Sequence, residues 1–404
     1  MNLRQNYKST LFASYVGYIT QAVVNNFAPL LYVTFQKDYG ITLKQLSFLA
    51  MFNFFIQLCV DYLSAKFVDK TGVRICIALS HFMAGIGLIL LGVLPSVLPS
   101  PMIGITIAIV FYAVGGGLIE VLVSPVVEAC PTKNKEAHMS ILHSFYCWGQ
   151  MLVILLSTVF FMTAGIEHWK IMSVIWSVIP ILNGILFIFV PLYKTVEPEE
   201  SGDKLTHLLK SGIFRVLMIM MLCAGAAEIA VSQWASAFAE KGLGVSKTVG
   251  DIAGPCMFAL LMGIARVVYS RLSKKVELTK YIMLCSALCL AGYLIIAFSP
   301  SAVLSLIGVG VCGFAVGVMW PGTYSLATVK MPVCSTSVFA FLALAGDAGC
   351  SSGPYLVGMV SSAFGDDLKK GMLFASVFPI IMILASVRLL KKSKIARGNI
   401  DKSN

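Results

Sequence analysis

Three carboxylates sit inside long apolar stretches of this chain: Glu120, Glu228 and Asp347. A charged group in hydrocarbon costs at least a few kcal/mol, so an acid in such a stretch is a candidate site residue. Glu120 follows Gly115, Gly116 and Gly117, which permit close helix packing and a bend. Its neutral form is far cheaper to bury than its charged form, so Glu120 reads as a proton carrier. The alternative is a structural carboxylate paired to a neighbouring helix. Glu228 shares a helix face with Ser232 at i, i+4, and Gln233 and Trp234 follow. A carboxylate beside an indole suits a hydroxylated ring, whose hydroxyls bond the acid while a C–H face stacks on the indole. The alternative is an interfacial Trp with Glu228 in a water-filled vestibule. Asp347, flanked by Gly346, Gly349 and Gly353, reads as a second proton-coupling carboxylate or as a hydrogen-bond node in a tight helix contact.

The other polar residues divide in the same way. His143 is a candidate partner for Glu120, or a satisfied polar residue between helices. Gln21, Asn25 and Asn26 give the first apolar stretch a polar face, which fits solute hydroxyls and interhelical hydrogen bonds equally. Trp320-Pro321, with Tyr324 one turn on, predicts a broken helix with carbonyls open to a cavity, against ordinary packing aromatics. Arg266 is placed near the inner end of its stretch and reads as a gating or structural residue that snorkels or pairs. No Lys or Arg is then expected at mid-membrane. An anionic solute usually needs one, so the solute is expected to be neutral or cationic.

Membrane helices must position these groups. The chain has 404 residues, of which 58% are hydrophobic and only 12% charged. Its mean hydropathy is +0.87. Soluble proteins carry roughly a quarter charged residues, and half that share cannot cover a water-facing surface. A span needs about 20 apolar residues. Polar and Pro/Gly punctuation places spans near 10–35, 45–65, 75–95, 102–128, 138–163 and 169–192, then 213–238, 248–271, 280–299, 302–328, 334–362 and 370–390. The expected fold is an all-α membrane protein with 12 transmembrane helices in two six-helix bundles. The N-terminal bundle covers 1–193, a cytoplasmic linker 194–212, the C-terminal bundle 213–392 and a cytoplasmic tail 393–404. The first apolar run is too long for a signal h-region and reads as an uncleaved first span.

With both termini in the cytoplasm, about 22 of the 30 Lys and Arg fall in inner segments, which favours that orientation. The net charge of +11 therefore reads as topology signal and contact with anionic lipid, and nucleic acid is rejected as a partner. The 11 Cys show no CxxC or Cys/His spacing and read as packing residues, so no metal, cofactor or disulfide framework is expected. Gly-x-Ser-x-Gly, His-Glu-x-x-His and phosphate-loop motifs are missing, which argues against a membrane-embedded enzyme. The lack of any sizeable soluble domain argues against a receptor or scaffold.

The segment Asp69-Lys70-Thr71-Gly72-Val73-Arg74 follows the second span and resembles the loop motif of the major facilitator superfamily. Gly72 permits its tight turn. Gly115-Gly-Gly-Leu-Ile-Glu120-Val-Leu-Val-Ser-Pro125, then His143-Ser-Phe-Tyr146-Cys-Trp-Gly149, is similar to the fucose-permease-like sugar:proton symporters of that superfamily. The specific likeness covers about 40 residues; the first span lacks the family's acid, and Tyr146 replaces its Asn. The resemblance implies a secondary transporter of the inner membrane working by alternating access, with Glu120 in proton coupling and Asp69, Lys70, Gly72 and Arg74 at the inner gate. On this reading Asn25, Asn26, Tyr146, Glu228, Gln233, Trp234, Trp320 and Tyr324 contact solute, while Asp347 and His143 assist coupling. The expected activity is proton-coupled import of a neutral sugar or polyol by a monomer. The alternatives are Na⁺ coupling and a proton-linked exporter of cationic or amphipathic compounds, which buried acids and aromatics also suit.

Overall fold

The computed structural model describes residues 6–132, 135–193, 205–272, 276–331 and 336–400. The expected linker falls largely on residues outside this set. Among the described residues the secondary structure is helical throughout, as the apolar runs require, since in lipid a spanning segment must satisfy its own backbone. Ten helical segments among the described residues are long and apolar enough to span. The expected first and eleventh spans are helical too, but Gln21, Asn25 and Asn26 dilute one apolar run and Asp347, Ser351 and Ser352 the other. Large apolar side chains such as Met162, Leu182, Leu284 and Leu384 stand more than half exposed, which suits a lipid-facing surface.

The helices group into two compact units, Met1–Glu197 with Ser236–Ala259, and Pro198–Ala235 with Leu260–Asn404. The first unit contains α1 (Tyr7–Asn26), α2 (Tyr32–Tyr39), α3 (Leu43–Thr71), α4 (Val73–Val97), α5 (Pro101–Glu128), α6 (Lys135–Ala164) and α7 (Trp169–Phe189). Helix α3 starts at a capping box, where Thr42 and Gln45 satisfy each other's backbone N–H groups. The three consecutive glycines of α5 each face a different helix. A Cβ at Gly115 would press on Ser80 and Ala84 of α4, one at Gly116 on Gln21 and Val24 of α1, and one at Gly117 on Gln57 and Val60 of α3. Three helices thus close on α5 one turn before Glu120. A buried node lies nearby, where Asn183 of α7 donates to the Ala13 carbonyl at 3.0 Å and its Nδ2 stands 2.9 Å from His81 Nε2. The His81 Nδ1–H faces the Ile77 carbonyl, so a neutral imidazole joins α1, α4 and α7.

The short α8 (Leu205–Leu208) falls within the expected linker, and α9 (Gly212–Ala237) starts at its end. Helix α9 runs into a π turn at Phe238–Gly242. After α10 (Lys247–Asp251) a second π turn, Ile252–Cys256, absorbs Pro255 before α11 (Met257–Leu272). The second unit continues with α12 (Leu278–Phe298), α13 (Ala302–Val316), α14 (Met319–Lys330), α15 (Thr336–Ala363), α16 (Leu368–Ala375) and α17 (Val377–Ile400). The tight contact expected around Asp347 is present. A Cβ at Gly349 would run into the Leu222 carbonyl of α9, one at Gly353 into the Ala226 carbonyl, and one at Gly225 into the Gly346 carbonyl.

Candidate functional site

In the first unit the polar groups of two helices, α1 and α3, converge on Glu120 of α5. Glu120 is partly buried on α5, and the Gln21 amide of α1 donates to its Oε2 at 2.8 Å. The same Gln21 Nε2 donates to Gln57 Oε1 of α3 at 3.0 Å. Gln57 Nε2 donates in turn to Asn25 Oδ1 at 2.8 Å, and Asn53 Nδ2 donates to that oxygen at 3.1 Å. Gln21, Asn25, Asn53 and Gln57 are all buried. A chain of amides therefore leads from the carboxylate into the α1–α3 contact. Asn26 spends its amide on the Ala22 carbonyl of its own helix. Of the two uses expected for these amides, interhelical bonding is realised at Gln21 and Asn25. Asn53 and Gln57 were not singled out in the sequence, because an isolated amide in an apolar run carries no signal until its neighbour is known. Their i, i+4 spacing on α3 was the available clue.

Tyr18 of α1 bridges the same region. Its hydroxyl stands 3.0 Å from Ser124 Oγ, and its ring meets the exposed His143 edge-on at 5.4 Å. The structure thus places His143 against Tyr18, while Tyr146 is partly buried on the same helix.

In the second unit the predicted broken helix is present, and the break lies at Gly317–Val318, between α13 and α14. Pro321 occupies the first turn of α14, where its missing N–H costs nothing. Arg266 Nε donates to the Gly317 carbonyl at 3.2 Å. Gly317 is near the middle of the span Ala302–Lys330, so a cation does stand at mid-span, and the expectation of a peripheral Arg266 is corrected. A guanidinium reaches several ångströms from its Cα, so a residue's place along α11 does not by itself fix where its charge sits. Its charge acts on the carboxyl of Glu228, a partly buried residue of α9.

The aromatic residues sort differently from expectation. Trp234 has no exposed surface, and its indole donates to the Pro354 carbonyl at 2.9 Å. Its ring is packed where a stacking platform was expected. Gln233 beside it is also buried. Trp320 is partly exposed, lies close against Gly346 and meets Tyr324 edge-on at 6.3 Å. Asp347 is the buried neighbour of that contact.

The family model of the Major Facilitator Superfamily matches residues 11–354. The chain belongs to that superfamily. No curated protein matches it. Among solved structures, this major facilitator chain is similar to a bacterial homolog of the human lysosomal transporter Spinster in an inward-facing and occupied conformation. The two are 15% identical with a TM-score of 0.73, over 96% of this chain and 97% of the other. It is also similar to the fucose:proton symporter FucP of E. coli, at 16% identity and a TM-score of 0.65 over 95% and 98% of the two chains. The nucleoside transporter NupG aligns at 12% identity and a TM-score of 0.76 over 95% and 99%.

The loop motif of this major facilitator chain acts through its backbone ends. Gly72 has φ +88°, a region L side chains rarely enter, and so joins α3 to α4 in a single residue. Arg74 donates to the carbonyls of Phe187, Ile188 and Val190 at 2.8–3.0 Å. It therefore satisfies the open C-terminal end of α7. Lys70 is exposed, and the Asp69 side chain lies outside the described part.

Proposed function

We propose that this major facilitator protein has twelve spans with both termini in the cytoplasm and couples proton entry to the uptake of a neutral, hydroxylated solute. The observation that carries this is the bond from Gln21 to Glu120 at the head of a buried amide chain. A charged Glu120 accepts from the Gln21 amide. A protonated Glu120 gains an O–H, and the complementary partner is Gln21 Oε1, a buried atom with no hydrogen bond in the present arrangement. Proton binding then favours turning the Gln21 amide over. That removes its bond to Gln57 and loosens the α1–α3 link through Asn25 and Asn53. Protonation is in this way converted into a change of packing between helices. Protonation also removes a charge from the membrane interior, which favours the interconverting state.

The neutral character of the solute is supported by charge balance. Arg266, whose charge acts on Glu228, offsets one of the second unit's two candidate carboxylates, Glu228 and Asp347. Trp320 and Tyr324 offer partly exposed rings for a sugar's C–H face. The similar structures include a fucose:proton symporter and a nucleoside transporter, both named for hydroxylated solutes.

The experiment is uptake by proteoliposomes of a panel of labelled sugars, polyols and nucleosides, with and without an inward proton gradient. We expect gradient-driven accumulation of at least one of them, abolished in Glu120→Gln while exchange of the same solute persists. Export of an organic cation against a proton gradient, with no movement of the panel, would overturn the reading.

A further inference from the structure

The most fully built polar cluster not yet assigned lies at the face of the first unit opposite the start of α1. Asp251, the last residue of α10, has no exposed surface. The Ser236 hydroxyl, from the last turn of α9, donates to its Oδ1. The Thr158 hydroxyl of α6 donates to its Oδ2 at 3.4 Å. The Lys247 ammonium, one turn back on α10, stands 3.0 Å from Oδ2. Lys247 also donates to the Leu30 carbonyl at 2.5 Å and lies 5.8 Å from the centre of the Phe161 ring. One ion pair thus fastens the Ser236–Ala259 hairpin to α6 and to the turn after α1. Leu30, Ile154 and Cys256 form an apolar plug among the same three segments. Lys37 and Glu240 make a second pair at 2.8 Å between α2 and the first π turn.

We propose that Asp251 is a second proton-binding residue of the transport cycle, whose charged form latches this face shut and whose protonation releases the hairpin. A charged carboxylate can accept from Ser236, Thr158 and Lys247 together, because all its lone pairs are available. A protonated one surrenders an accepting position and dissolves the ion pair. Lys247 is then an ammonium set between a carbonyl and an aromatic ring without a counter-charge, and separating the segments to admit water removes that cost. Few other titratable groups face Asp251 among the described residues. Glu240 of the preceding π turn is engaged by Lys37, Cys256 lies on the following turn, and α6 contributes the Thr158 hydroxyl and the Phe161 ring. On the orientation proposed above this face is the outer one, where protons would arrive first during uptake.

Cys256, buried in the plug, is a native reporter. The measurement is the rate of Cys256 modification by a membrane-impermeant maleimide in vesicles, read by peptide mass spectrometry. Each rate is divided by that of the unfolded protein at the same pH, which cancels thiol ionisation. Asp251→Asn is expected to raise the normalised rate about tenfold or more at neutral pH, as a local opening equilibrium shifts. Acidification should raise the rate in the wild type and leave Asp251→Asn unchanged, a profile that a merely structural contact would not produce. Thr158→Val should give a smaller rise and keep the wild-type pH profile. If Asp251→Asn does not fold, Lys247→Gln serves, since it removes the other half of the pair. A wild-type rate that ignores pH, or variants no faster than wild type, would overturn the proposal. Because no solute is needed, failure here leaves the uptake reading standing, and failure of uptake leaves the latch standing.

Discussion

The 2.8 Å bond from the Gln21 amide to Glu120 carries the proposed coupling, so losing it should separate gradient-driven uptake from solute exchange. Glu120 was conspicuous because a carboxylate among Gly, Leu, Ile and Val has no cheap reason to be there. Gln21 gained its meaning only when the fold placed its amide 2.8 Å from Glu120. Asp251 was hidden for the opposite reason, since four residues after Lys247 and next to a loop it looked like an ordinary boundary acid. Replacing Gln21 by Leu keeps the volume roughly and removes a donor to a charged group, which is worth about 1.5–3 kcal/mol. Gradient-driven uptake by Gln21→Leu should therefore fall by about tenfold or more, while solute exchange is less affected. Equal loss of both activities would show that Gln21 serves binding and not coupling. Arg266 and Glu228 allow a second test. If they act as a charge pair, Arg266→Gln and Glu228→Gln each leave an uncompensated charge, which costs about 3–5 kcal/mol when buried. Each single variant should melt well below wild type in detergent. The double variant should recover much of the loss, and additive losses would refute the pairing.

At the scale of elements, apolar run length gave the helices, and polar or Pro/Gly punctuation gave their ends. It did not give interruptions within a run. The break at Gly317–Val318 was expected near Trp320-Pro321, because proline was the visible breaker, yet Pro321 fits the first turn of the next helix and the break falls just before it. The π turn at Phe238–Gly242 has no proline, and its Glu240, Lys241 and Gly242 mark the end of the apolar run but not the change of helix type. Close helix contacts were better encoded, because glycine spacing reports them directly. The α9–α15 contact gives a sharp prediction. Gly349→Val would push a branched side chain into the Leu222 carbonyl, and overpacking of this kind costs about 1–3 kcal/mol or more. Gly349→Val should lower the melting temperature or abolish the folded monodisperse peak in size-exclusion chromatography. Gly365→Ala, where a Cβ would meet no neighbour, is the contrasting control: φ +73° makes it strained without a clash, so a smaller loss is expected.

Across the whole chain, topology is written in the distribution of cations. The proposed two repeats with an even number of spans put both termini on one side, and the threefold excess of Lys and Arg in the segments on that side favours the cytoplasm. Several of those cations also have structural partners. Arg74 closes the end of α7, so its position is required by the fold as well as by the membrane. On the opposite face Lys37 and Lys247 are paired to Glu240 and Asp251, so their charge is neutralised where the rule disfavours it. A fluorescent protein fused after Asn404 should be fluorescent, and a phosphatase fused there should be inactive, because the first folds in the cytoplasm and the second only outside it. A phosphatase fused after Gly365, in the turn before α16, should be active. An active enzyme at Asn404 would reverse the orientation, and the latch at Asp251 would then face the cytoplasm and read the internal pH.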